Sequence, residues 1–312
     1  MNQLLILAAD AAKYEVLIKA SDLQNLEVRV ADDVATALVS IDGCNIILGE
    51  PSLVSEVLAS AGQLQWVQSS WAGVDRLCAT GLRQDYVLTG VKDVFGPLIS
   101  EYVMTYLFAL ERQVFTMRSN QLSRQWQPLS YRPAREIKLG VVGLGSIGQH
   151  LAHTARFFGV RVTGFNRSGR PCDDVEKVYT ADDLADFLEE PDYIVLTLPD
   201  TPGTRQFIDA NVLKLMKPSA VLINVGRGSI INEEDLVAAL RNGVIGGAVL
   251  DVFTNEPLPP ENPFWAMPGV YVTPHNAATS FTEDIVRIFV DNYQRFLRQD
   301  KLKHVVNFDL GY

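Results

Sequence analysis

The residues best suited to chemistry in this 312-residue chain begin with three glycines, Gly143, Gly145 and Gly148, in the stretch KLGVVGLGSIGQHLAHTARFFGVRVTGFN. They stand between an apolar run that reads as a strand and a mixed run that reads as a helix. The first glycine permits a tight turn, the second lets a pyrophosphate approach the backbone, and the third allows close packing of strand and helix. A helix opening at Ser146-Ile147 then presents unpaired N–H groups and the positive end of its dipole to phosphates. A lone G-x-G-x-x-G is a weak signal. The strand before it, the helix after it and a further strand about twenty residues on are the context that a dinucleotide site requires.

The end of that further strand selects the cofactor. NAD sites usually place Asp or Glu there to accept from the ribose 2′-hydroxyl. Here the chain reads Asn166-Arg167-Ser168-Gly169-Arg170. A carboxylate would repel a 2′-phosphate, whereas Arg167 and Arg170 can clamp one and Ser168 can donate to it. The expectation is therefore NADP(H), with NAD(H) possible. The plainer alternative is a solvated basic loop that accepts either.

The elements that must hold these residues alternate along the chain. Residues 4–9, 26–31, 45–50, 64–70 and 87–91 are short apolar or alternating runs, separated by stretches of helical periodicity. A second series occupies 138–143, 161–166, 193–198, 220–225, 246–252 and 270–274. This grammar predicts an α/β protein of βαβ units with parallel sheets buried on both faces. Between the two series, Gly96-Pro97 reads as a helix start, and Leu98, Ile99, Tyr102, Val103, Tyr106, Leu110, Val114 and Met117 recur at helical spacing. A second long helix is expected from about Thr279 to Asp300 on its apolar spacing. Two long helices bracketing the central block predict one domain split around another: 1–97 and 282–312 around 98–281.

Composition narrows the function classes. Apolar residues are 47% and charged residues 21%, which fits a globular chain rather than a disordered or fibrous one. The formal charge of −10 argues against a broad nucleic-acid or anionic-membrane surface. No apolar run reaches the length of a membrane span, and LLILAAD is too short for a signal segment. Cys44, Cys78 and Cys172 have no metal or redox spacing and read as packing residues of a reducing compartment. The expectation is a soluble, cytoplasmic protein that engages neither nucleic acid nor membrane.

Several longer motifs occur together: WAGVD (71–75), VGLGSIG (142–148), TLPDTPGTRQFI (197–208), LINVGRGSIINEEDLVAAL (222–240), GAVLDVFTNEPLP (247–259) and VTPHNAA (272–278). In order and spacing they resemble the D-isomer-specific 2-hydroxyacid dehydrogenases over nearly the whole chain. The resemblance implies a flavodoxin-like substrate domain, split in sequence and hinged to a Rossmann-like cofactor domain. It also implies NAD(P)H-dependent reduction of a small 2-oxo acid to a D-2-hydroxy acid. Matched residue by residue, it puts the catalytic roles on Arg227, Glu256 and His275. The residue types suit that reaction, which needs a hydride at the carbonyl carbon and a proton at its oxygen. Histidine titrates near working pH, glutamate fixes its tautomer and raises its pKa, and arginine can pair bidentately with the substrate carboxylate. By the same resemblance Ala72, Gly73 and Val74 hold that carboxylate through backbone N–H groups, beside Arg227 and His275. Pro199, Thr204, Val225, Asp251 and Asn276 line the cofactor, with Asp251 accepting from the nicotinamide carboxamide and Ala277 in the same cleft.

The resemblance is incomplete in two places. VKDVFGPLISEYVM replaces the more usual small and acidic residues before the first long helix. Trp71 would either narrow the pocket toward substrates such as glyoxylate or hydroxypyruvate, or simply pack. His150 and His153 stand i, i+3 after the glycine turn, but with no third ligand in sequence a solvated helix face is expected rather than a metal pair. Residues 112–138 hold six basic side chains and one acidic, and suit an arm on a partner subunit, which predicts a homodimer. A different class, a dehydrogenase-like regulatory protein that senses NAD(P)(H), would keep the same residues; the lack of long partner-binding tails argues against it.

Overall fold

Short Val/Ile/Leu runs form two all-parallel sheets whose inner strands are buried along their whole length, as strands covered on both faces are. The structure, a computed structural model, describes residues 1–311. It forms two compact units, Met1–Val94 with the residues from Ser280 onward, and Phe95–Thr279.

Unit one runs through β1 (Asn2–Leu7), α1 (Ala11–Ala20), β2 (Leu26–Ala31), α2 (Val34–Ser40), β3 (Ile46–Gly49), α3 (Pro51–Val57), β4 (Trp66–Ser69) and β5 (Val87–Thr89). Its sheet has the order β2-β1-β3-β4-β5. The C-terminal helix Thr282–Leu297 returns to this unit. There Phe289 stacks on the fully buried Trp66 with ring centroids 5.1 Å apart, and Trp66 donates from Nε1 to Thr89 at 2.8 Å. Asn292, also buried, ties the helix to Gln68 and to Lys303.

Unit two contains α4 (Phe95–Glu111), α5 (Val114–Leu122), β6 (Lys138–Val142), α6 (Ser146–Phe157), β7 (Arg161–Phe165), β8 (Val178–Tyr179) and α7 (Leu184–Leu188). It continues through β9 (Tyr193–Leu196), α8 (Ala210–Leu213), β10 (Val221–Asn224), α9 (Glu233–Arg241), β11 (Gly247–Leu250) and β12 (Val270–Val272). The strand order is β12-β11-β10-β9-β6-β7-β8, so the order reverses between β6 and β9. The crevice at the carboxyl ends beside such a switch point is where open α/β sheets bind ligands.

Three details differ from the reading of the sequence. The long helix after Gly96-Pro97 starts at Phe95 and is two helices, because Gln113 adopts a left-handed φ of 52°. Past that break α5 buries none of its residues, so Val114 and Met117 are exposed rather than continuing the core stripe. The arm is nevertheless pinned at its base. Arg132 pairs with Glu111 and, at 3.3 Å, with Asp192, while Arg112 lies 4.1 Å above the ring of Tyr131. Strand β8 was not anticipated: two residues are too few to carry a period. His150 is not on a solvated face. Its Nδ1 lies 2.9 Å from Ser100 Oγ of α4, joining two packed helices, whereas His153 is exposed and pairs with Asp174 at 3.0 Å. Among the described residues no group of His, Cys, Asp and Glu is arranged to hold a metal ion, and no helix is long and apolar enough to cross a membrane.

Candidate active site

Six of the strand ends of the second sheet carry the chemistry. After β6, Gly143 takes φ 101° and its carbonyl accepts from Thr197 Oγ1 at 2.7 Å. A Cβ on Gly148 would lie 1.9 Å from that same carbonyl oxygen, so the turn and the helix can close only with glycine there. A Cβ on Gly145 would meet nothing within 4 Å, leaving its surface open to a ligand. No side chain caps α6 at Gly145, and the N–H groups of Ser146, Ile147 and Gly148 have no acceptor among the described residues. An uncapped helix start beside an open glycine fits a pyrophosphate.

After β7, the side chain of Asn166 builds the next loop. Its Oδ1 accepts from the N–H groups of Ser168 (3.0 Å) and Gly169 (2.6 Å), and its Nδ2 donates to the Arg170 carbonyl at 3.2 Å. Asn166 is therefore engaged in shaping the turn, which leaves Arg167, Ser168 and Arg170 exposed on it. After β9, Thr204 Oγ1 donates to the Pro199 carbonyl at 2.6 Å and closes the segment containing both residues.

After β10, the fully buried Asn224 sets the loop of Arg227. It accepts from Gly226 N–H at 3.1 Å and donates to the Arg227 carbonyl at 2.9 Å, with Val225 between them. Arg227 Nη1 donates to the Gly226 carbonyl at 2.7 Å. A Cβ on Gly228 would sit 2.0 Å from the Phe253 carbonyl carbon, so the Arg227 loop rests directly on the backbone leading to Glu256.

After β11 and β12 come Asp251, Glu256 and His275. Glu256 Oε1 accepts from Phe253 N–H at 2.9 Å, which aims Oε2 at His275 Nδ1, 2.7 Å away. That hydrogen bond is the main cause holding the His275 ring above its ordinary pKa. Burial and the Arg227 charge oppose it, while the charges of Glu256 and Asp251 assist. Burial pushes the Glu256 carboxyl up, but the bonds from His275 and Phe253 outweigh it, and Glu256 stays below the usual carboxylate range. With Nδ1 committed to Glu256, Nε2 is the ring nitrogen left to meet a substrate.

Asp251 is 2% exposed and holds the histidine loop. Its carboxylate accepts from Asn276 N–H (2.9 Å), Ala277 N–H (3.0 Å) and Thr273 Oγ1 (2.6 Å), and its own carbonyl accepts from His275 N–H at 2.8 Å. A carboxylate has about four lone-pair directions, so the expected bond to a carboxamide competes with a demanding structural task. In unit one, the loop after β4 is set by Ser69 Oγ, which bonds both the N–H and the carbonyl of Trp71. Val74 is buried and anchors the loop in the core; Ala72 and Trp71 are exposed. The N–H groups of Ala72, Gly73 and Val74 have no partner among the described residues.

The structure thus brings Arg227, Glu256 and His275 together with Asp251 on one sheet edge that also carries the glycine turn. The reading of the sequence did not find Asn224, Thr273 or Tyr102. For Asn224 a signal existed, a polar residue ending the buried apolar run AVLIN; for Thr273 and Tyr102 only the fold shows what they touch.

Comparison with known proteins places the chain among similar sequences and folds. Residues 104–277 match the family model described as D-isomer specific 2-hydroxyacid dehydrogenase, NAD binding domain. The chain is 31% identical over 268 residues to glyoxylate/hydroxypyruvate reductase A of Photorhabdus laumondii, covering 82% of this chain and 84% of that protein. It is 34% identical over 280 residues to (S)-sulfolactate dehydrogenase of Chromohalobacter salexigens, covering 86% and 89%. A crystal structure of a D-isomer specific 2-hydroxyacid dehydrogenase family protein from Aeromonas salmonicida superposes with a TM-score of 0.94 at 44% identity, over 99% of both chains. The NADPH-dependent glyoxylate/hydroxypyruvate reductase of Sinorhizobium meliloti, solved with NADP and sulfate, gives a TM-score of 0.92 at 31% identity over the whole of both chains.

Proposed function

This chain belongs to the D-isomer specific 2-hydroxyacid dehydrogenase family, and from that premise we propose that it reduces a glyoxylate- or hydroxypyruvate-type 2-oxo acid to the D-2-hydroxy acid, with His275 as general acid. It is an NAD(P)-dependent oxidoreductase acting on a small 2-oxo or 2-hydroxy acid. The observation that carries the finer reading is the 2.7 Å bond between His275 Nδ1 and Glu256 on the edge that bears Arg227.

When bound, the nicotinamide supplies the hydride. The chain's own residues then have separable tasks. Arg227 pairs with the substrate carboxylate and polarises the carbonyl. His275 delivers a proton from Nε2 to the carbonyl oxygen, and Glu256 stabilises the imidazolium without itself taking the proton. The Ala72–Val74 backbone is assigned a carboxylate-binding role on unit one, which we name the substrate domain; unit two is the cofactor domain. Pro199, Thr204, Val225 and Asn276 are assigned to the cofactor, as is the remaining acceptor capacity of Asp251.

The NADP(H) preference rests on Arg167, Ser168 and Arg170, exposed on a turn that Asn166 has already shaped. NADPH and NADH oxidation are followed spectrophotometrically against glyoxylate, hydroxypyruvate, pyruvate and bulkier 2-oxo acids. The expected outcome is turnover of the small acids with a higher kcat/KM for NADPH. Removing Arg167 and Arg170 together is expected to lower the NADPH/NADH ratio about tenfold or more, the scale of charge-assisted hydrogen bonds. A ratio near one in the unaltered protein would remove the preference. Tight NADPH binding with no acid turned over would instead favour a sensing role.

We assign the arm at 112–138 to a homodimer. Its support is the exposed apolar series Val114, Phe115, Met117, Leu122 and Trp126, the last 98% exposed. Sedimentation equilibrium should give two chains per particle, and a monomer at micromolar concentration removes the assignment.

A further inference from the structure

We propose that Tyr102 of α4 is a positioning residue for His275, acting through the hydroxyl of Thr273 and the buried carboxylate of Asp251. The inference rests on the reading of His275 as the general acid, and it concerns how that residue is held.

Two short contacts make the chain. Thr273 Oγ1 lies 2.6 Å from Asp251 Oδ1, and Tyr102 OH lies 2.6 Å from Thr273 Oγ1. A carboxylate oxygen can only accept, so the Thr273 proton points at Asp251. Thr273 Oγ1 then accepts from Tyr102, and both hydroxyl protons run toward the carboxylate. Hydrogen bonds aligned in this way polarise one another in a low-dielectric interior. Asp251 in turn holds the N–H groups of Asn276 and Ala277, on either side of which the chain can move only if those bonds break.

The histidine needs this support. His275 has φ 53°, a left-handed conformation that costs an L-residue on the order of 1–2 kcal/mol. The side-chain bond to Glu256 and the backbone bonds to Asp251 around it offset that cost. Tyr102 is itself fixed by aromatic packing. Its ring lies 4.9 Å from Tyr106, which lies 6.1 Å from Tyr271 of β12, two residues ahead of Thr273. The tyrosine therefore approaches the histidine loop from a separate helix, and no local motif around His275 records it.

The test uses the full-length protein with NADPH and glyoxylate, or whichever small 2-oxo acid is turned over fastest. Tyr102→Phe and Thr273→Val each remove one hydroxyl at nearly constant volume. Each is expected to lower kcat about fivefold to tenfold, the scale of one hydrogen bond, with KM and NADPH affinity changed by less than about twofold. Thr273→Ser, which keeps the hydroxyl, should recover most of the rate lost in Thr273→Val. Because Tyr102 reaches Asp251 only through Thr273, the double variant Y102F/T273V should be no slower than T273V alone. A wild-type kcat in Y102F, or single effects that multiply in the double variant, would overturn the proposal. The two readings fail separately: undiminished turnover in His275→Gln removes the general acid and this inference with it, whereas an inactive H275Q beside an unaffected Y102F removes only the role of Tyr102.

Discussion

Replacing His275 with glutamine is expected to lower the rate of 2-oxo acid reduction by about 10²–10⁴-fold, the usual worth of a positioned proton donor. NADPH affinity should change little, because the glycine turn and the Arg167–Arg170 loop lie on other strand ends of the sheet. Stopped-flow reduction together with cofactor fluorescence titration separates the two quantities. The pH dependence gives a second view of the same residue. His275 must be protonated to donate, so the rate is sustained below its pKa and falls as pH rises through it. The hydrogen bond to Glu256 holds that pKa above the ordinary histidine value, so the alkaline fall should begin correspondingly high. In Glu256→Gln the negative charge is gone, the imidazolium is less favoured, and the fall should move to lower pH. An alkaline limb that stays in place in this variant would sink the assignment of Glu256.

The second large effect is expected from a residue with no side chain. Gly228→Ala would put a methyl 2.0 Å from the Phe253 carbonyl carbon and 2.3 Å from both the Phe253 oxygen and the Thr254 nitrogen. These are backbone atoms and cannot swing aside, so one loop must move by an ångström or more. The loop on one side carries Arg227 and the loop on the other carries Glu256. A displacement of that size at groups which align a reaction can cost about 10²-fold, and kcat/KM should fall by at least that much. Gly62→Ala is the control, since a Cβ there meets nothing within 4 Å, and it should leave kinetics and Tm near those of the unaltered protein. Kinetics in G228A close to those of G62A would mean that the two loops adjust independently.

Much of the site was legible before the fold was known, for local reasons. The glycine turn is required by steric contacts within a few residues, such as Gly148 against the Gly143 carbonyl. Parallel strands buried on both faces appear as apolar runs, so the strand series were readable to within a few residues at each end. One failure arose where the deciding contact is distant in sequence, the other where a single residue breaks the backbone. His150 was expected in solvent, yet Ser100, fifty residues earlier, covers it. Val114 and Met117 continue a helical period, but a left-handed Gln113 interrupts the helix that the period implies.

Taken by itself, the sequence determined the α/β class, the glycine turn, the basic loop after β7 and the residue types able to transfer a proton to a 2-oxo acid. Each of these follows from neighbours along the chain or from motifs in a known order. Only the tertiary structure decided how those groups are aimed. It set Gly228 against Phe253, and let Asp251, Thr273 and Tyr102 hold a histidine in a disfavoured left-handed conformation. The reason is that orientation at the carboxyl edge of a parallel sheet depends on hydrogen bonds between successive strand ends. Those partners are separated by whole βα units in sequence, at distances where no local pattern survives.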